Sequence, residues 1–170
     1  MFHPVAFVVG VFDEDLEAYK GAIACSITSY EFYETDLSRG FVRGFQMQSN
    51  REGGPVHTSL GGPLGRAIPW GEDHHRVFAQ RYGRTVIMCV LTEDLPEEHN
   101  QVVLDPTLCD ADGIPAPKIQ YTIAENCEKM LAYGADRASD LMRSAGATQI
   151  HVAISPKKTG WHLLGTTRMG

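Results

Sequence analysis

The sequence predicts an α+β fold, and three observations carry the prediction. Two runs, Val5 to Phe12 and Thr85 to Leu91, are almost wholly apolar and rich in β-branched residues. That is the pattern of strands buried on both faces. Phe41 to Gln48 alternates with a period of two, as a half-buried strand does. Thr122 to Ala145 carries an apolar stripe at helical spacing and is the clearest helix of the chain.

The first strand, Val5 to Phe12, begins with almost no lead-in. A buried strand needs neighbours, so polypeptide upstream is expected. Asp13-Glu14-Asp15 breaks the strand and Lys20-Gly21 turns the chain. Ala22 to Tyr30 is a second strand, and after the turn Ser38-Arg39-Gly40 it can pair antiparallel with Phe41 to Gln48. Asn50 to Trp70 is rich in Gly and Pro and reads as a long surface loop of the kind that often covers sites. Gly61 to Arg66 lacks both the Lys-Ser/Thr of a P-loop and Rossmann spacing.

Gly71 to Tyr82 has an acidic start, helical spacing at Val77, Phe78 and Tyr82, and Gly83 as its stop. Thr85 to Leu91 follows as a buried strand, Glu93 to Asn100 as an acidic loop, and Gln101 to Asp105 as a short strand. Asp110 to Gly113 is a turn without the later ligands of a calcium loop, Ile114 to Pro117 is broken by proline, and Lys118 to Tyr121 is a strand. Thr122 and Glu125 fit a capping box for the long helix. Its stripe is Cys127, Met130, Leu131, Ala135, Ala138, Leu141, Met142 and Ala145, and Gly146 ends it. Gln149 to Ile154 is the last strand.

With 170 residues and 43% hydrophobic content, one domain with a core is expected. A net charge of −6 argues against nucleic-acid binding, which needs a basic face. No apolar run reaches the ~20 residues of a membrane span. Met1 to Gly10 lack the basic start and cleavage site of a signal peptide, so the compartment is open and cytoplasmic by default. Cys25, Cys89, Cys109 and Cys127 are scattered, which points to reduced thiols rather than a disulfide or zinc framework. His74 and His75 are adjacent, so on a helix they point about 100° apart and do not suit one metal. No metal is expected.

The chemistry-bearing stretch is Gly160-Trp161-His162-Leu163-Leu164-Gly165-Thr166-Thr167-Arg168-Met169-Gly170. An imidazole exchanges protons near neutral pH. Glycine lets backbone approach a ligand closely, and arginine supplies a permanent charge with fixed donor geometry. The stretch resembles the His-x-x-Gly-Thr-x-Arg-Met-Gly signature of the glucose–methanol–choline (GMC) oxidoreductases, flavoenzymes that oxidise alcohols. Val102 to Pro106, Asp112 to Pro115 and the long helix ending in Ala145-Gly146-Ala147 are similar in order to that family's C-terminal substrate domain. Gly40 to Gly44 and Ile68 to Gly71 look like a branch near the sugar-acid and polyol dehydrogenases.

The resemblance implies a mostly antiparallel sheet flanked by helices, incomplete at both ends, with residues 1–170 forming one partial substrate-binding domain. The Rossmann half with its Gly-x-Gly-x-x-Gly is absent from the sequence, as is the tail that carries the family's second catalytic His or Asn. By resemblance His162 accepts the hydroxyl proton, Gly165 and Thr166 fit against FAD, Arg168 fixes the loop or a phosphate, and Trp161 orients the imidazole or lines the substrate pocket. A small alcohol, polyol or sugar is the implied substrate. The chain alone is expected to hold FAD poorly and to turn nothing over. Association with the missing FAD domain, or with itself, is a further expectation. Two other readings stay open: a non-catalytic α+β module that binds a complementary chain, and a metal hydrolase using His57, His74, His75 or His99.

Overall fold

A computed structural model describes all residues except 1, 23–26, 52, 62–66, 155–161, 163 and 166–170. The strands are β1 (Val5–Val11), β2 (Ile27–Ser29), β3 (Phe45–Arg51), β4 (Thr85–Thr92), β5 (Gln101–Cys109), β6 (Pro115–Gln120) and β7 (Gln149–Ile154). The helices are α1 (Pro55–Ser59), α2 (His74–Arg81) and α3 (Glu125–Ser144), with a 3-10 turn over Leu37–Arg39. Five strands form one sheet in the order β2-β3-β4-β1-β7, and β5 and β6 form a separate ribbon. Every described pairing is antiparallel. The fold is thus α+β with an antiparallel sheet, as the sequence predicts.

β1 lies between β4 and the edge strand β7, and all seven of its residues are buried. Its side chains alternate between two cores, as a period of two requires. Ala6 and Val8 face α3 together with Phe45, Met47, Met88 and Val90. Val5, Phe7 and Val9 lie on the opposite face with Ile87, Cys89 and Leu91.

α3 lays Cys127, Met130, Leu131, Ala135, Ala138 and Met142 on the first face, all essentially sealed from solvent. Burying a side chain of the Met or Leu kind stabilises by ~1.5–3 kcal/mol, so this stripe is the main support of the helix. Its centre is Gly134: a Cβ there would meet Val90 Cγ1 at 2.5 Å and Phe45 Cε2 at 3.2 Å. The helix therefore packs closer to the sheet than alanine would permit.

Several local expectations change. Leu141 is 45% exposed and lies off the buried stripe, while Gly134 and Ser139 lie on it. Thr122 does not cap α3. The N-cap is Ala124, and the Thr122 N–H instead donates to Asn100 Oδ1 at 2.8 Å. β3 starts at Phe45 rather than Phe41, because Gly44 sits against the Tyr33 and Phe32 carbonyls with no room for a Cβ. The long 50–70 loop contains the short helix α1 and buries Thr58 and Ile68. Pro115 and Pro117 lie within β6 rather than breaking it. A two-stranded ribbon has a free edge on each strand, where a missing N–H costs no ladder bond.

Candidate functional site

The sheet order fixes where β7 ends. β7 runs antiparallel to β1, so Ile154 lies opposite Ala6. The end of β7 therefore lies beside the start of β1. There the His162 ring lies 5.2 Å from the His3 ring, centroid to centroid, at an interplanar angle of 88°. His162 is exposed and has φ +60°, in the left-handed region that few non-glycine residues occupy. Gly165 is also exposed, with φ +80°. Trp161, Thr166 and Arg168 lie outside the described residues.

His3 is held from both sides. The Phe2 N–H donates to Asp94 Oδ2 at 3.3 Å, and the Tyr121 hydroxyl donates to the same oxygen at 2.9 Å. The Phe2 and Tyr121 rings lie 3.9 Å apart. On the other side Pro4 is buried, and its carbonyl accepts from Thr92 N at 3.2 Å and Thr92 Oγ1 at 3.0 Å. Burial first, then the hydrogen bond to the Asp94 carboxylate, raises the Tyr121 phenol well above its usual range. It is therefore a steady donor at any physiological pH.

A cavity of about 390 Å³ opens at this end of the sheet, within the usual size range for small-molecule sites. Phe2, Leu95, Pro96 and Leu164 give it apolar walls, and His3, Arg43, Glu93 and Asp94 give it polar ones. Arg43 Nε stands 4.0 Å from Glu93 Oε2. Arg43 has φ +68°, and its N–H donates to Thr35 Oγ1 at 3.1 Å. Two of the three described non-glycine residues with positive φ, Arg43 and His162, thus belong to this corner of the molecule. Strained backbone of this kind tends to cluster where a side chain must be aimed.

His74 and His75 are taken up locally. His74 Nδ1 lies 3.2 Å from the Pro69 carbonyl, and its ring stacks on Trp70. His75 stands edge-on to His74. Among the described residues no three His, Cys, Asp or Glu side chains converge as metal ligands. No described helix is long and apolar enough to cross a membrane.

Sequence reasoning singled out His162 but missed His3, Asp94 and Tyr121. A lone His before Pro and one acid in an acidic loop carry no sequence signal. The β1–β7 pairing puts His3 near His162, and hydrogen bonds place Asp94 and Tyr121 at the neighbouring Phe2.

His3, which the His162 ring meets edge-on, lines the cavity; His162 itself does not. No family model matches the chain. It is 40% identical, over 156 residues, to 2-methyl-1,2-propanediol dehydrogenase of Mycolicibacterium austroafricanum, covering 91% of this chain and 28% of that protein. It is 34% identical, over 80 residues, to the fructose dehydrogenase large subunit of Gluconobacter japonicus, covering 46% of this chain and 14% of that protein. The chain spans well under a third of the length of the relatives it matches.

Proposed function

We propose that residues 1–170 are the substrate-domain part of a GMC-type, FAD-dependent oxidoreductase acting on CH–OH groups of an alcohol, polyol or sugar. The observation that carries this is the exposed His162, set edge-on to His3, which lines a cavity of about 390 Å³. The relatives support the substrate class, since one is named for a diol and the other for a sugar. The second is also named as a large subunit, which supports partner chains.

The residues present suit a flat cofactor on one side only. Gly165 is exposed and has no Cβ to hold a planar ring away, and His162 is exposed three residues before it. Among the described residues no parallel strand pair offers a Rossmann site, so the adenosine half of FAD falls to other polypeptide. When bound, the flavin supplies the hydride-accepting N5. His162 takes the hydroxyl proton at a ring nitrogen, which requires a neutral imidazole within ~3.2 Å of the hydroxyl. Gly165 and Thr166 would lie against the ring, Arg168 would fix the loop or a phosphate, and Trp161 would orient the imidazole.

A chimera tests this reading. In the Mycolicibacterium dehydrogenase, this chain replaces the segment it matches. The chimera should bind flavin and oxidise a 1,2-diol, and His162→Ala should lower kcat by about 10²- to 10⁴-fold with flavin content unchanged. A flavin-loaded His162→Ala chimera of undiminished kcat would overturn the assignment.

The non-catalytic reading has one observation in its favour. Ile27, Val152 and Ile154, on the outermost strands of the sheet, are 71%, 47% and 48% exposed, which suits a covering chain.

A further inference from the structure

We propose that His3 is a positioning residue for His162, a proposal that rests on His162 being the base. The rings are nearly perpendicular, with centroids 5.2 Å apart. In that arrangement the edge of one ring points at the face of the other. Such a contact sets the plane of an imidazole, but it is not a nitrogen-to-nitrogen hydrogen bond and provides no direct proton relay.

The two rings differ in how firmly they are held. His162 sits on an exposed backbone with positive φ. His3 sits between two anchors, Phe2 on the Asp94–Tyr121 pair and Pro4 on Thr92. The anchored ring is thus a fixed wall, and the exposed ring takes its orientation from it. Asp94 lies one step further out: its carboxylate ties the first residues of the chain to the end of β6, and so keeps the wall in place. A proton acceptor needs this, because misplacing a reacting group by about 1 Å can cost on the order of 10²-fold in rate.

Three variants of the chimera test the proposal. His3→Ala should lower kcat about tenfold while KM stays within about twofold, since orientation and not substrate binding is lost. His3→Phe, which keeps a flat wall but cannot carry a proton, should restore most of that loss. His162→Ala should be insensitive to a second change at His3.

If His3→Ala leaves kcat unchanged in a chimera that His162→Ala disables, the positioning role is wrong and the base assignment stands. If His162→Ala itself has no effect, the underlying reading fails. If His3→Phe is as slow as His3→Ala and added imidazole rescues both, His3 carries protons and the positioning role is overturned. A measurement on the 170-residue chain needs no turnover. The NMR shift of the His162 ring protons should move when His3→Ala removes the neighbouring ring. An unchanged shift would overturn the proposal.

Discussion

The Cys127 thiol is sealed beneath α3, 3.1 Å from the Thr92 hydroxyl. Burial pushes it up from the ordinary thiol value of 9.0 to about 11, against a smaller downward pull from Thr92. A raised acid holds its proton longer in the folded state than in the unfolded one. The contribution is whole below pH 9.0 and is lost as pH rises towards about 11. Two units correspond to roughly 2–3 kcal/mol. Urea titrations should therefore show the stability gap between wild type and Cys127→Ala narrowing by about that amount between pH 8 and 11. A gap that stays constant would exclude the thiol as the titrating group. Tyr121, raised in the same sense by burial and by Asp94, adds to the alkaline loss in both proteins, and only the small part of its shift that comes from Cys127 enters the difference. At this scale the sequence draws attention to His162 because its neighbours resemble a family signature. It draws none to His3, whose importance comes from a strand register and leaves no local mark.

At the scale of elements, two glycines separate packing from propensity. In an ordinary helix interior Gly→Ala stabilises by roughly 0.5–1 kcal/mol. At Gly134 the added methyl would press into Val90 and Phe45, both buried and stiff. Gly134→Ala should therefore destabilise by about 1–3 kcal/mol in denaturant unfolding, and a stabilised variant would show that α3 sits further from the sheet. Gly44→Ala should be worse, because its Cβ would fall 1.9 Å from the Tyr33 carbonyl oxygen, where only backbone movement makes room. Its soluble yield should drop before any midpoint is measurable. β1, β4, β7 and α3 were legible because composition and period agree over their whole length. The start of β3 was not: alternation begins at Phe41, but the approach to residues 32–33 delays pairing to Phe45. The capping box failed in a similar way, since Asn100 took the Thr122 amide that the box would have given to Glu125.

For the whole molecule, the sheet and α3 account for both cores, while large side chains on the outermost strands stay open. The purified chain is therefore expected to lack a stoichiometric flavin band in its visible absorbance and to associate as its concentration rises, in sedimentation velocity. A yellow one-to-one complex would show that residues 1–170 hold FAD unaided. A monomer at every concentration would show that the open apolar side chains are tolerated in water. The α+β class and antiparallel sheet were legible from alternation and from one long amphipathic stripe. Strand order was not, because nothing local says that the first strand will lie between the fourth and the seventh.

That order has a consequence for how the protein is made. Among the described strands β1 is synthesised before the others, yet one of its two ladder partners, β7, emerges some 140 residues later, with Val11 pairing with Gln149. Over that interval this strand has an unpaired flank, and closing it waits on a contact of very long sequence separation. Such contacts slow folding and expose nascent chains to aggregation, so this segment is a natural client for holdase chaperones until its last strand arrives.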